Sequence, residues 1–485
     1  MSGISGMAKR SGWSDRRIAA LIAASVVLSR LPFVSGALAT WDSVLLARAL
    51  DLGFHVGTDL ADQRPQAPGN LFYVGTAALV RPLVGSPNAA LVAVSVIASA
   101  LTCAVIYLFC RSFASRGGAL VAAGVYATGP LVWSFGEVAT PYAVLGLLSA
   151  LLGMLFWRGR HGTATATLGA SVAFGIATGF RQDLVLLLAP LWLWMIWLRP
   201  RLWIAAAMAA TAGALAWFAP SAIASGGLAA YLNSVEVQSS RAAAFSVAVR
   251  GATGAADNAA TIVYSLGWAL AATFPVLLIA ALARLVARRP SPGARALFFA
   301  LWILPALVFY AGVHVGSSGY LLSVVPAVSI LAGLLFDAVA PAARASSRRV
   351  AGAIAGAALV ANALIFIAAP TPFSATAIAA HDRSLTDRVA YIRAQYPANG
   401  TVILAQYEFV FLTQYLPEYR ALFFGPRPEV LSTDPPAVTV TPAGGTVLLF
   451  GRIPDLPNAD DAAVLLPGLA SLTRGSIRAY DIRMR

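Results

Sequence analysis

Charge is scarce in this sequence. Only 11% of its 485 residues are Asp, Glu, Lys or Arg, whereas a soluble domain carries about a quarter, so a water-facing surface over the whole chain is excluded. Cysteine is nearly absent as well. Cys103 and Cys110 stand in one apolar run, on one helix face and about two turns apart, too far for a bridge within that helix. They read as small core residues. The motifs of soluble chemistry are missing: no Gly-x-x-x-x-Gly-Lys-Ser/Thr phosphate loop, no His-Glu-x-x-His, no Cys-x-x-Cys and no Gly-x-Ser-x-Gly elbow. An ATP-driven pump built on that loop and a zinc hydrolase built on that helix are thereby excluded.

What is abundant is apolar sequence. Hydrophobic residues make up 59% of the chain and the mean hydropathy is +0.76, which places most of it in a bilayer. The formal net charge of +14 does not indicate nucleic acid. The basic residues are nearly all arginine and sit in short clusters between apolar runs, a spacing that reports topology. At the start, Lys9, Arg10, Arg16 and Arg17 precede an apolar stretch ending in Ala37-Leu38-Ala39, which resembles a signal-peptidase site. Arg30 and Pro32 interrupt that stretch, so a retained anchor is the better reading.

Runs approaching the length needed to cross the hydrocarbon fall at residues 18–37, 89–109, 119–135, 141–157, 164–179, 184–198, 202–223, 260–282, 296–313, 320–336 and 350–368, giving an all-α polytopic bundle of about eleven transmembrane helices. An amphipathic segment at 43–52, a polar loop at 53–70 with His55, Asp59, Asp62 and Arg64, and a short apolar piece at 71–80 lie in a first outer loop, 39–88. The 71–80 piece is too short to span and is expected in the interface. With it excluded, every arginine cluster (Arg111 and Arg116; Arg158 and Arg160; Arg199 and Arg201; Arg284, Arg288 and Arg289; Arg344, Arg348 and Arg349) falls on one side, as short cytoplasmic loops require. Only two acidic residues ahead of the C-terminal region, Asp15 and Asp337, share that side. The expected location is the inner (plasma) membrane, with the N-terminus cytoplasmic. From about residue 371 charges become frequent, with a helix expected at 384–396 and strands at 401–405, 420–424, 446–450 and 477–482. The expected division is therefore a membrane domain at 1–370 and a small extracytoplasmic α/β domain at 371–485.

Ionisable groups at span ends are expensive and default to functional candidates. The outer turns collect Asp42 after the first span, Glu137 and Tyr142 between the third and fourth, Arg181 and Asp183 between the fifth and sixth, and His314, Ser317, Ser318 and Tyr320 between the ninth and tenth. A carboxylate there can act as a general base while an arginine holds an anionic phosphate. Bland readings stand beside these: Asp42 as the N-cap of the 43–52 segment, Arg181 and Asp183 as a structural ion pair, Glu137 as a capping or snorkelling group, and His314 as an ordinary interfacial histidine.

Four local patterns resemble the GT-C superfamily of membrane glycosyltransferases, in particular its protein O-mannosyltransferase-like branch. The first is Trp41-Asp42-Ser43 leading through Ala47-Arg48-Ala49-Leu50-Asp51-Leu52-Gly53. The second is Arg64-Pro65-Gln66-Ala67-Pro68-Gly69-Asn70-Leu71-Phe72-Tyr73. The others are Pro130-Leu131-Val132-Trp133-Ser134-Phe135-Gly136-Glu137-Val138 with Tyr142, and Gly319-Tyr320-Leu321-Leu322 with Pro326. The chain departs from that pattern in having Arg64-Pro65-Gln66 where relatives often have His-Pro-Pro, and Asp42-Ser43 where some carry Asp-Glu. The resemblance implies a polyprenyl-phosphate-linked sugar donor, inversion at the anomeric carbon, and Asp42 as the base toward an acceptor hydroxyl on a glycan, lipid or protein. It does not assign Arg181, His314 or Tyr320. Topology adds Arg181, Glu137, Asp183, Arg64, His314, Tyr320 and Tyr142 as donor- or substrate-binding candidates, Arg181 foremost because guanidinium matches phosphate oxygens in bidentate fashion.

The expected partners are membrane lipid, donor and acceptor, without nucleic acid. No cofactor is expected, and no metal is demanded, because the acidic residues lack a close ligand cluster in sequence. A transporter or flippase is the main alternative. It favours charges near the midplane and broken helices in two related halves, whereas these charges stand at outer ends and no halving is visible. A non-catalytic assembly protein whose C-terminal region binds a partner is a third reading.

Overall fold

The computed structural model describes residues 13–57, 62–286, 293–339, 345–405, 408–423, 446–450 and 477–478. Lys9, Arg10, Asp59, Arg288, Arg289 and Arg344, the end of the second expected strand and residues 479–482 of the fourth lie outside them. In chain order the helices are α1 (Trp13–Arg30), α2 (Trp41–Leu52), α3 (Leu71–Val84), α4 (Pro87–Cys110), α5 (Arg116–Thr128), α6 (Pro130–Gly136), α7 (Tyr142–His161), α8 (Ala164–Ala177), α9 (Leu184–Ile196) and α10 (Trp203–Ala224). They continue with α11 (Leu228–Ala244), α12 (Val247–Leu270), α13 (Thr273–Val286), α14 (Gly293–Gly312), α15 (Val325–Val339), α16 (Ala345–Ala368), α17 (Ala375–Gln395) and α18 (Phe409–Tyr415). The strands are β1 (Thr401–Ala405), β2 (Arg420–Phe423), β3 (Thr446–Leu449) and β4 (Ile477–Arg478).

The chain forms two compact units, each assembled from three stretches: 1–35, 70–221 and 245–379 in one, and 36–69, 222–244 and 380–485 in the other. The first is the helical bundle. Among the described residues, five helices, α4, α7, α10, α14 and α16, are long and apolar enough to cross a membrane, or seven spans if two bent pairs each count as one. The rest of the expected spans correspond to α1 and to the shorter apolar helices α8, α9 and α15.

Two expected spans are not continuous, which corrects the sequence reading. The 119–135 run breaks at Gly129-Pro130 into α5 and α6, bent by 64°. The 260–282 run breaks between α12 and α13, bent by 98°, with Ala271 held at φ 40°. Proline removes a backbone donor and ends the helical ladder, and in a bilayer the freed groups must find protein partners. At the first break Arg30 Nη2 donates to the Ala127 carbonyl at 2.7 Å. At the second, Asn362 on α16 accepts from the Ala272 N–H at 2.7 Å and donates to the Leu270 carbonyl at 3.0 Å. The breaks abut each other: a Cβ on Gly129 would collide with the Ala269 carbonyl.

Small residues set the helix spacing, as they do where packing rather than hydrophobicity drives association. Gly118 on α5 and Gly333 on α15 face each other backbone to backbone, so that a Cβ on Gly118 would stand 2.7 Å from the Gly333 carbonyl. The two acidic residues on the arginine-rich side serve the fold. Asp15 accepts from Tyr107 Oη at 3.0 Å and pairs with Arg111 and Arg116 at 3.4 and 3.3 Å. Asp337 accepts from the Ser115 hydroxyl at 2.5 Å at the N-cap of α5.

In the second unit the strands form one parallel sheet in the order β2-β1-β3-β4. All four occupy expected positions. The α18 helix, absent from the sequence reading, supplies the crossover that a parallel β1–β2 pair requires. The expected 384–396 helix begins earlier, at Ala375. This unit also takes in α2 and α11, which the linear division at residue 371 does not anticipate.

Candidate functional site

In the bundle, four of the candidate residues converge. Arg181 occupies the turn between α8 and α9. That turn is fixed by the Phe72 N–H donating to the Gly179 carbonyl at 3.1 Å, by the Phe72 and Phe180 rings 5.6 Å apart, and by Trp217 Nε1 donating to Thr178 Oγ1 at 2.8 Å. The aromatic start of α3 thus positions the arginine. The Arg181 side chain is 12% exposed and donates through Nε and Nη2 to the two Asp183 oxygens at 3.2 and 2.6 Å. Its guanidinium carbon lies 4.8 Å from the Tyr320 ring centroid and 5.2 Å from that of Tyr142, so a cation and two aromatic faces share one desolvated place. Burial pulls the guanidinium pKa down, but Asp183, with Tyr320 and Tyr142, more than offsets this and holds it above its ordinary value. The group stays charged.

The tyrosines are themselves anchored. Tyr142 opens α7, and a Cβ on Gly319 would collide with its ring, so glycine is required there. Tyr320 belongs to a short 3-10 turn, Ser318–Ser323, and stacks on Tyr310 of α14 with centroids 5.8 Å apart. Tyr310 Oη donates to the Tyr320 carbonyl and contacts Ser323 Oγ, both at 3.0 Å. Sequence reasoning passed over Tyr310; nothing in an apolar span distinguishes it from a core aromatic. His314 borders the cluster, since a Cβ on Gly316 would stand 3.0 Å from His314 Nε2 and 3.4 Å from Tyr320 Oη. Burial, and the nearby Arg250 charge, push the His314 imidazole below its ordinary value, so it is neutral at pH 7.

Glu137 does not join this group. It is fully buried at the C-cap of α6, accepting from Trp133 Nε1 at 2.9 Å and lying 3.9 Å from Arg30 Nε. Arg30 is equally buried, its guanidinium 4.2 Å from the Trp133 ring, which stacks on Phe366 at 4.5 Å. An arginine interrupting an apolar run, with one buried glutamate as counter-ion, was the available signal for Arg30.

In the other unit, Asp42 is exposed in the first turn of α2. The N-cap is Thr40, not Asp42: Thr40 Oγ1 accepts from the Ser43 N–H at 3.1 Å and the Thr40 N–H donates to Ser43 Oγ at 3.2 Å, a capping box. The capping explanation for Asp42 is thereby removed. Its carboxylate stands where the helix dipole favours negative charge. Arg64 is committed to its own loop, donating to the Gly53 and Asp62 carbonyls at 3.2 and 2.9 Å, while Asp62 pairs with His55 at 2.7 Å. Among the described residues, no three His, Cys, Asp or Glu side chains gather as metal ligands.

The fold is that of the GT-C membrane glycosyltransferases. Crystal structures of ArnT from Cupriavidus metallidurans match along nearly the whole chain. The apo form superposes with a TM-score of 0.55 at 15% identity, over 86% of this chain and 87% of that one. The form bound to undecaprenyl phosphate gives 0.54 at 14% identity, over 87% of each. Residues 68–223 match the family model for dolichyl-phosphate-mannose-protein mannosyltransferase. No curated protein sequence matches. The resemblance read from the four sequence patterns is thus met by the architecture.

Proposed function

We propose that the protein is a membrane glycosyltransferase that moves a sugar from a polyprenyl-phosphate-linked donor to an acceptor hydroxyl on the outer face of the membrane, with inversion. The observation that carries this reading is the Arg181–Asp183–Tyr142–Tyr320 cluster in a chain of this fold. Asp183 uses the Nε–Nη2 edge of the guanidinium, and a five-donor fork retains N–H groups on its other edge for a phosphate oxygen. The ArnT structure with undecaprenyl phosphate supports the lipid-phosphate class of donor by analogy. In the proposed step the acceptor oxygen attacks the anomeric carbon and Asp42 takes the hydroxyl proton. The bond from that carbon to the phosphate oxygen breaks, and polyprenyl phosphate departs. No cofactor enters the proposed step, because the lipid-linked sugar is itself the substrate.

The test is purified protein offered a panel of polyprenyl-phosphate sugars, with release of polyprenyl phosphate followed by mass spectrometry. We expect Asp42→Asn to abolish release while the protein still inserts and melts normally. Near-normal turnover by Asp42→Asn would refute the base assignment. Solute uptake into vesicles containing only this protein, without transfer, would replace the proposal by a transporter.

A further inference from the structure

The short segment that enters α2 is held by side chains from the far end of the chain. The Gly36 N–H donates to Asp382 Oδ2 at 2.6 Å, the Leu38 N–H donates to Tyr415 Oη at 2.8 Å, and His381 Nε2 lies 3.1 Å from the Leu38 carbonyl. The contacts come from two helices, His381 and Asp382 on α17 and Tyr415 on α18. The α18 helix also packs directly on α2, and Thr413 donates to Gln63 at 2.6 Å in the loop beyond it. Ala37 and Leu38 are buried, as are Val44, Leu45, Leu46 and Ala47 on α2. Asp42 therefore stands four residues past Leu38, whose backbone N–H and C=O groups are both fixed by the C-terminal part of the chain.

We infer that Asp382, Tyr415 and His381 are positioning residues that aim the Asp42 carboxylate, so that the C-terminal α/β part serves the reaction by aligning its base. The inference rests on the transfer reading for its catalytic consequence, but not for its structural one. The 36–40 strap has no regular ladder of its own, and two of its backbone donors are taken by the Asp382 and Tyr415 side chains, whose loss removes two of its anchors. A general base displaced by about 1 Å costs on the order of 10²-fold in rate.

The test compares Asp382→Ala, Tyr415→Phe and their combination with the conservative Asp382→Asn, which keeps an oxygen acceptor for Gly36. We expect kcat to fall about 10- to 100-fold in the combined variant with the donor KM unchanged, and Asp382→Asn to restore most of it. A second readout needs no turnover. Cys103 and Cys110 are buried, so Asp42→Cys gives a single maleimide target, whose labelling rate should shift at least several-fold when Asp382→Ala and Tyr415→Phe are added. Unchanged labelling together with unchanged kcat overturns the inference. So does a parallel loss of kcat in Asp382→Asn and Asp382→Ala, since that reports a role for the carboxylate charge rather than its acceptor. If wild-type protein consumes no donor in the panel, the transfer reading fails, and the labelling experiment alone decides whether the strap positions residue 42.

Discussion

Glu137→Gln should destabilise the bundle without weakening donor binding. The substitution keeps an oxygen for Trp133 Nε1 but removes the charge opposite Arg30, which is fully buried. At the observed 3.9 Å separation, the lost attraction is about 4 kcal/mol at an effective dielectric constant of about 20. Breaking one side of a buried ion pair costs about 3–5 kcal/mol by independent measure, because the other charge is stranded. The pair is not hydrogen-bonded, with Arg30 Nε and Glu137 Oε2 both lacking a hydrogen-bond partner among the described residues, so both figures are upper bounds and a loss of up to about 3–5 kcal/mol is expected. Replacing both members by methionine removes the stranded charge and should recover part of it. What remains is about 1–3 kcal/mol for each of two buried groups left unpaired, the Ala127 carbonyl that loses Arg30 and the Trp133 Nε1 that loses Glu137. Melting of purified protein in detergent, followed by tryptophan fluorescence, ranks wild type, Glu137→Gln and the double variant. A Glu137→Gln protein that melts like wild type yet fails to retain a polyprenyl-phosphate sugar would refute the reasoning and return Glu137 to the substrate site.

Asn362→Leu leaves the Ala272 N–H and the Leu270 carbonyl unpaired at the α12–α13 break; at about 1–3 kcal/mol for each buried group, it should lower the melting temperature more than a Leu substitution at an exposed α16 position. Arg181→Lys keeps a charge but loses the fork and its contact with two aromatic faces, so donor KM should rise about tenfold or more with a smaller change in expression, whereas retention of normal KM would remove Arg181 from the donor site. His314 has a folded pKa below the ordinary 6.5, so the unfolded chain binds its proton first and stability is lost as pH falls below that value. His314→Asn should therefore gain on wild type in melting temperature from pH 7 to pH 5, and a gap that stays constant over that range would contradict the assignment.

The segments of the bundle were legible because a span is a composition signal, and the C-terminal strands because each is a short apolar run between Gly and Pro turns. The breaks were harder to read. Gly129-Pro130 is visible in sequence, but Ala271, at φ 40°, carries no such mark, and the backbone groups on either side of it are taken by Asn362, far along the chain. The same distance hid the second unit. Residues 36–69, 222–244 and 380–485 belong together, and no local pattern announces that His381, Asp382 and Tyr415 bind the residues ahead of Asp42. Of the candidate site, Arg181, Asp183, Tyr142 and Tyr320 came together as topology suggested. Glu137 did not, because a carboxylate near a span end was read as facing water when an arginine in the first helix was its partner.

The ion pair between Arg181 and Asp183 looks at first like an argument against a donor site, since a satisfied arginine has no need of a ligand. The geometry argues otherwise. An arginine this deeply placed without a counter-ion would carry an uncompensated desolvation cost in every moment that the site is empty. Asp183 removes that cost through one edge of the guanidinium, and the Tyr142 and Tyr320 rings fix its plane. A phosphate approaching the other edge then meets a charge that is already oriented, with little side-chain entropy left to lose. In the proposed reaction the negative charge on the bridging oxygen grows as the sugar leaves, and a pre-oriented guanidinium stabilises that change more than it stabilises the bound donor. Asp183→Asn should accordingly lower kcat through loss of orientation even though it makes the site more positive, whereas tighter donor binding with unimpaired kcat would show that Asp183 merely neutralises Arg181.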